Sequence, residues 1–357
     1  MLMNFLICLL LFVIGYFVSA TGGAVLIKHN SIEKYSFKAD PFIYIFIYLL
    51  IATAGVFFFA PDVKDELSVQ TFASIGLPFF FGAVIYTLYL LEMKKAFLSA
   101  IFIFSILSSF LLIDNASLSL TDFIAPAFEK GLIGILIALI SYSALSLSGV
   151  AGVFSSFMSM ALVGLIMLFY AGGMPLDVAF TASLWAGLWI AALQINNTHA
   201  KLLVNAGGMV VAIYIFCTLF LIKGINELSG PSVLILLSYP LCEFFWSLFQ
   251  KYILRHQAPA LYMTSVNFNV CEKGLTAEAL HIAVIKICVL NVFMAAFQLF
   301  SSNMFTIPFL AGLIDFWLLS RLNTFDEPDF SIKEANQEFV QNVKNEVETI
   351  KKLSGKD

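Results

Sequence analysis

Long apolar stretches alternate along this chain with short connections that hold most of its Pro, Gly, Asn and charged residues. A transmembrane helix needs about 20 consecutive, mostly apolar residues. We predict about eleven spans, at residues 2–27, 41–60, 72–91, 96–113, 128–147, 149–170, 175–193, 207–223, 231–249, 280–300 and 304–320. The pattern therefore predicts an all-α, polytopic membrane domain over residues 1–321 and a tail over residues 322–357.

The first apolar stretch could serve as a signal peptide or as the first span. It ends in small residues, as a signal peptide does, but no basic residue precedes its long apolar run. A signal peptide begins with a positively charged segment. We therefore expect an uncleaved first span.

Basic residues are unevenly divided between alternate connections. The odd-numbered connections carry nine, namely Lys28, Lys34, Lys38, Lys94, Lys95, Lys201, Lys251, Arg255 and Lys273. The even-numbered connections carry three, namely Lys64, Lys130 and Lys223. Because cytoplasmic loops hold the excess of Lys and Arg, this bias predicts an outside N-terminus and a cytoplasmic C-terminus.

The tail has the pattern of an amphipathic helix. Ser331 and Glu334 have capping-box spacing, and an apolar stripe follows at Phe339, Val343, Val347 and Ile350. Such a stripe could bind a protein partner, lie on the membrane surface or pair with itself. A solvated helix that rests on the protein's own loops is an equally good interpretation.

Composition supports the membrane assignment and excludes some partners. The chain is 61% hydrophobic and 12% charged, against about 25% charged residues in a soluble domain. No basic cluster indicates a nucleic-acid partner. The five cysteines lack CxxC spacing and lie mostly within predicted spans, so we interpret them as packing residues.

Four motifs follow in order along the second half of the chain. They are His199–Gly208, Pro240–Glu243, the basic segment Lys251–Pro259, and Gly274–Thr276. In this order and spacing they resemble the polyprenyl-phosphate N-acetylhexosamine-1-phosphate transferases. That family includes the phospho-N-acetylmuramoyl-pentapeptide transferases and the undecaprenyl-phosphate GlcNAc-1-phosphate transferases. The resemblance extends over about residues 75–300.

The resemblance implies a reaction and a location. Members of the family move a sugar-1-phosphate from a UDP-sugar to a polyprenyl phosphate, with Mg²⁺ and cytoplasmic acids. It thus implies a role in cell-envelope polysaccharide or peptidoglycan precursor synthesis, in the bacterial inner (cytoplasmic) membrane. Mg²⁺ is expected only if the site is active.

The catalytic acids of the family are largely replaced in this sequence. Paired aspartates correspond to Glu92-Met93, and Asp-Gly-x-Asp-Gly corresponds to Ser148–Gly152. Asn205 stands where the family has a metal-binding aspartate, and the segment around Asn267 replaces His-x-His-His. Because Mg²⁺ prefers carboxylate and phosphate oxygens, Glu92 and Asn205 are the remaining candidates for catalysis.

Other residues are candidates for substrate binding. Lysine and arginine can hold a phosphate, and the candidates are Lys94, Lys95, Lys201, Lys251 and Arg255. Glu243 and Asn267 occupy positions of family motifs. Each has a simpler interpretation, because basic residues also satisfy the inside-positive bias and Glu243 could form a structural hydrogen bond to the loop that follows. Asp315 and Lys286, in the last two spans, could pair.

The sequence leaves three functions open. The first is a divergent, catalytically impaired transferase. The second is a non-catalytic protein that binds lipid phosphate or UDP-sugar, or that scaffolds envelope assembly through its tail. The third is a transporter, which would have broken helices near the membrane midplane.

Overall fold

The computed structural model describes residues 2–31, 41–59, 69–114, 125–150, 152–199, 205–253, 261–301 and 305–324. Helices account for the regular structure of these residues. The first seven helices are α1 (Leu2–Ser31), α2 (Pro41–Phe59), α3 (Val69–Leu90), α4 (Lys94–Leu112), α5 (Pro126–Leu147), α6 (Val153–Tyr170) and α7 (Leu176–His199). The tail from residue 325, with its predicted amphipathic helix, lies outside the described residues.

The second half of the bundle contains interrupted helices. The helices are α8 (Ala206–Phe216), α9 (Ile222–Asn226), α10 (Gly230–Leu236), α11 (Ser238–Leu248), α12 (Val266–Glu272), α13 (Ala277–Gln298) and α14 (Thr306–Asn323). A π-helical turn, Cys217–Leu221, joins α8 to α9, another, Phe249–Ile253, follows α11, and a 3₁₀ turn, Leu261–Thr264, precedes α12. Each span predicted from the sequence coincides with one of these helices or with a consecutive pair.

Eight helices of the described chain are long and apolar enough to cross a membrane, and a bent pair, α10 with α11, makes a ninth. A helix satisfies its own backbone hydrogen bonds, which is why it is stable in hydrocarbon. α2 is apolar over the shorter segment Phe42–Phe57, and α14 carries Asp315 and Arg321. The chain is an all-α, multi-pass membrane protein.

The bend between α10 and α11 measures 56°. It falls at Leu237, three residues before Pro240. Proline has no N–H, so it cannot donate to the carbonyl one turn earlier, at Leu236, and its ring crowds that turn. The Ser238 hydroxyl lies beside the break, 2.8 Å from the carbonyl oxygen of Ile235.

α7 and α8 form the centre of the bundle, and α1 lies at its edge. In the spanning segments of α7 and of α8 with α9, 78% and 83% of the residues are buried, against 17% in that of α1. α1 nevertheless approaches α7 closely. There is no room for a side chain at Gly15, since an added Cβ atom would lie 2.3 Å from the carbonyl oxygen of Leu184. A Cβ on Gly187 would lie equally close to the carbonyl of Phe12. Such small-residue contacts are common where membrane helices pack.

Contacts between helix ends define two ends of the bundle. At one end α3, α5, α7 and α11 end, and α4, α6, α8 and α13 begin. Contacts link several of these: Asn205 before α8 binds Tyr86 near the end of α3, and Gly152 before α6 meets His281 near the start of α13. We call this the lysine-bearing end, because Lys94, Lys95 and Lys251 lie there.

Candidate functional site

The predicted residues Glu92, Lys94 and Lys95 lie at the junction between α3 and α4. The turn is closed by a hydrogen bond from the N–H of Glu92 to the carbonyl of Tyr89, 3.0 Å long. Glu92 has a φ of 58°, in the left-handed region that costs a residue with a Cβ about 1–2 kcal/mol. The three side chains are exposed, and no side chain caps the first turn of α4. The junction thus presents two ammonium groups and one carboxylate beside a helix N-terminus.

Asn205, the second catalytic candidate, begins α8. Its Oδ1 accepts a hydrogen bond from the N–H of Gly208 (2.7 Å), and its Nδ2 donates to the hydroxyl of Tyr86 (3.0 Å). The ring of Tyr89 covers Gly207, where an added Cβ would lie 2.3 Å from ring carbons. Asn205 therefore has a helix-capping role, and it joins the start of α8 to the end of α3, near Glu92.

The structure brings two further candidates, Glu243 and Asn267, into contact. Glu243 is fully buried on α11, and its Oε1 accepts from the N–H of Asn267 on α12 (3.0 Å). The Oδ1 of Asn267 accepts from the hydroxyl of Tyr239, also at 3.0 Å. We call these three residues the Glu243 cluster. The structural hydrogen bond between Glu243 and the loop that follows, one of the two interpretations of its sequence, is present, with Glu243 as the acceptor.

Of the three other basic candidates, one lies among the described residues. Lys251 is partly exposed on the π-helical turn after α11, with its Nζ 6.0 Å from the centre of the Tyr252 ring. Lys201 and Arg255 lie outside the described residues. α5 packs against both α8 and α11, so it links the helix that Asn205 begins to the helix that carries Glu243.

His281 is a residue of this end that the sequence did not single out. It is buried near the start of α13 and lies against the turn before α6. A Cβ added to Gly152 would come within 2.5 Å of its ring, and Gly152 has a left-handed φ of 88°. The resemblance places a catalytic acid motif of the family at this turn, Ser148–Gly152. A lone histidine in an apolar span gave no spacing signal from which this contact could be predicted.

A second buried polar group lies at the bend between α10 and α11. Asp315 on α14 is fully buried, with Ser238 on α11 and Asn291 on α13 as hydrogen-bond partners. We call these residues the bend cluster. Lys286 is exposed on α13, so the Asp315–Lys286 pair that the sequence left open does not form.

The opposite end of the bundle holds a cavity of about 70 Å³. Asp177, Thr181, Thr218, Lys223 and Asn226 contribute its polar lining. The π-helical turn between α8 and α9 forms part of its wall. None of the residues predicted as site residues lines this cavity, so it is separate from the lysine-bearing end.

The chemistry of the described residues limits the ions they could hold. They contain no group of three or more His, Cys, Asp and Glu side chains placed to bind a metal. All five cysteines are unpaired and buried or half-buried, as expected for packing residues. Burial raises the pKa of the Cys271 thiol on the loop helix α12, which lowers its reactivity as a nucleophile.

The fold and these polar groups define a class, the all-helical multi-pass membrane proteins, with charged residues at both ends and two fully buried carboxyl groups, Glu243 and Asp315, in the interior. Comparison with family models, with curated proteins and with solved structures finds no match to this chain. Function is therefore argued from the residues and their geometry.

Proposed function

We propose that this protein binds the phosphate of a polyprenyl phosphate at its lysine-bearing end, as a catalytically impaired relative of the sugar-1-phosphate transferases. The proposal includes eleven spans, a cytoplasmic lysine-bearing end, and a bacterial inner membrane in which the lipid serves envelope assembly. The observation that carries it is the α3–α4 junction, where Lys94 and Lys95 are exposed beside the uncapped start of α4.

Phosphate binding at this junction has a physical basis. The first N–H groups of a helix point outward with a partial positive charge, and a phosphate there is stabilised by them. Lys94 and Lys95 add two full charges on flexible side chains. Among the described residues, neither Lys94 nor Lys95 forms an ion pair within 4.0 Å, whereas Lys223 pairs with Glu227 at the opposite end. The two lysines are therefore available to a ligand.

The same geometry argues against efficient transfer. Phosphoryl transfer depends on positioning and on metal ions that neutralise the developing charge. Asn205 uses its Oδ1 for the cap of α8, and Glu243 uses its Oε1 for the start of α12. Glu92 is then the only candidate carboxylate of this end whose side chain is exposed.

The binding proposal is tested with purified full-length protein in lipid nanodiscs and undecaprenyl phosphate as the probe. The double variant Lys94→Gln/Lys95→Gln should lose affinity by about tenfold or more, since each exposed charge–phosphate contact contributes on the order of 1 kcal/mol. Lys223→Gln, which removes a lysine at the opposite end, is the matched control and should bind normally. Equal affinities for all three proteins would contradict the proposal.

Catalysis is tested separately with a panel of labelled UDP-sugars and undecaprenyl phosphate. We expect binding without transfer, with or without Mg²⁺. Product that disappears on addition of a chelator would show an active metal site and would restore the transferase as the function.

The bend between α10 and α11 favours a second candidate function, a lipid or small-molecule transporter. Discontinuous helices with polar groups at their break form substrate and ion sites in many transporters. The 56° bend and the adjacent Asp315 have this arrangement. Uptake or efflux by proteoliposomes, compared with empty liposomes, would separate this function from lipid-phosphate binding.

A further inference from the structure

The bend cluster is buried in the interior of the helix bundle. Asp315 is 0% exposed, Asn291 1% and Ser238 7%. Asp315 lies near the middle of α14, and Ser238 follows directly after the bend. Polar groups in this position are costly in a membrane and commonly mark an ion or proton site.

The hydrogen bonds of the cluster converge on one oxygen of Asp315. The Nδ2 of Asn291 donates to Asp315 Oδ2 (2.9 Å), and the hydroxyl of Ser238 contacts the same oxygen. The two remaining oxygens, Asp315 Oδ1 and Asn291 Oδ1, are fully buried and have no hydrogen-bond partner. Both are acceptors, so neither can satisfy the other without an added hydrogen.

A proton on the carboxyl group would remove the unpartnered acceptor of Asp315. A carboxylic acid and an amide can form a planar pair with two hydrogen bonds, and the bond from Asn291 Nδ2 to Asp315 Oδ2 is one of them. A proton on Asp315 Oδ1 would turn this acceptor into a donor, and Asn291 Oδ1 is an unpartnered acceptor on the side chain that already binds the carboxyl group. The proton would also remove the negative charge, which is expensive to bury without a cation.

The surroundings of Asp315 contain no described cation that could take the place of this proton. The ionisable groups whose charges reach it are Tyr239 and Cys242 on α11 and Cys288 on α13. Glu243, the next acid along α11, interacts in turn with Tyr239 and Cys242. α10 contains no titratable residue, and those of α12 are Cys271 and Glu272. Each of these groups is neutral or negative.

We propose that the bend cluster is a proton-binding site, in which Asp315 holds an exchangeable proton that it shares with Asn291. Release transfers this proton to water and leaves a carboxylate with two unsatisfied oxygens in the cluster. The helices must then admit water or shift at the bend. Release of the proton is therefore coupled to the conformation of α10 and α11. This proposal does not depend on lipid-phosphate binding at the other site.

The test is infrared spectroscopy of the full-length protein in lipid nanodiscs at neutral pH. We expect the carbonyl band of a protonated carboxylic acid, which shifts when the protein is made with ¹³C-labelled aspartate. The band should vanish in Asp315→Asn, a neutral substitution that keeps an acceptor for Ser238 and gains a donor for Asn291. In Asn291→Leu it should remain but shift, because the carboxylic acid loses its partner. Glu243→Gln removes the other fully buried carboxyl group and should leave the aspartate band unchanged.

Two results would overturn the proposal. An unsubstituted protein without any aspartate-sensitive carbonyl band would mean that Asp315 is ionised, with water or an ion in the cluster. A band that disappears on addition of sodium chloride but not of potassium chloride, at constant pH, would identify a sodium site instead. The isotope experiment needs no substitution, so either result can be read even if Asp315→Asn fails to fold.

Discussion

The α3–α4 junction and the Glu243 cluster both contain residues at positions where the sequence resembles one family's motifs. The residues at the junction are exposed, whereas those of the cluster are buried. Glu92, Lys94 and Lys95 are exposed at the junction. Glu243 and Asn267 are buried and bound to each other. Motif position alone therefore does not tell a ligand-binding residue from one that holds two helices together, whereas burial and hydrogen bonding do.

This contrast predicts that truncation of Glu243 has the largest effect on stability. Glu243→Ala would leave the N–H of Asn267 without its acceptor and open a cavity, at a cost of about 3 kcal/mol. The measurement is unfolding of the purified protein in detergent, with Lys251→Ala as a control on the partly exposed turn after α11. If Glu243→Ala unfolds like the unsubstituted protein, the Glu243 cluster is not a structural unit.

The contact between Gly207 on α8 and Tyr89 on α3 should be the next most important for stability. Gly207→Ala would place a methyl group against the ring of Tyr89, and overpacking of this kind costs about 1–3 kcal/mol. Gly131→Ala is a suitable control, because no atom lies within 4 Å of its added Cβ. The same unfolding assay compares the two; a loss equal in both would show that α3 and α8 do not meet as described.

Removal of the Asn205 side chain should have a smaller cost. Asn205→Ala loses the cap of α8 and the bond to Tyr86, and loss of an N-cap typically costs about 1 kcal/mol. Asn205→Asp keeps the cap acceptor and should retain most of the stability. Because it also restores a carboxylate where the resemblance expects one, Mg²⁺-dependent transfer by this variant would show that the lost charge had disabled catalysis. Destabilisation equal to that of Asn205→Ala would refute the capping role.

The smallest effect is expected at Glu92, and it should be stabilising. Glu92→Gly keeps the left-handed backbone conformation but removes its steric cost, because glycine has no Cβ, for a gain of up to about 1 kcal/mol. Glu92→Gln keeps the strain and removes only the charge, so it should leave stability nearly unchanged. A loss of stability in Glu92→Gly would mean that the carboxylate makes a contact that stabilises the junction.

The helices could be predicted from the sequence more completely than the polar contacts. In hydrocarbon an apolar stretch must satisfy its own backbone hydrogen bonds, which a helix does. The predicted spans therefore coincide with helices. A hydrogen bond between Glu243 and the following loop is one of the two interpretations of its sequence, and the N–H of Asn267 donates it. The approach of Asp315 to Asn291 and Ser238, and of His281 to Gly152, depends on how separate helices pack. Neither periodicity nor spacing along one helix contains that information.

The glycine contact between α1 and α7 has a consequence for how the protein is made. Ser19 on α1 contacts the carbonyl of Leu188 four residues beyond the Gly15–Leu184 contact, so the two helices run parallel and five other helices are synthesised between them. At about 5–20 residues per second, α1 waits on the order of ten to thirty seconds for its partner to emerge from the ribosome. During that time the Gly15 face of α1 is without its native contact, and lipid or another protein occupies the place that α7 later takes. The contact between α1 and α7 therefore forms only after the seventh helix has been synthesised.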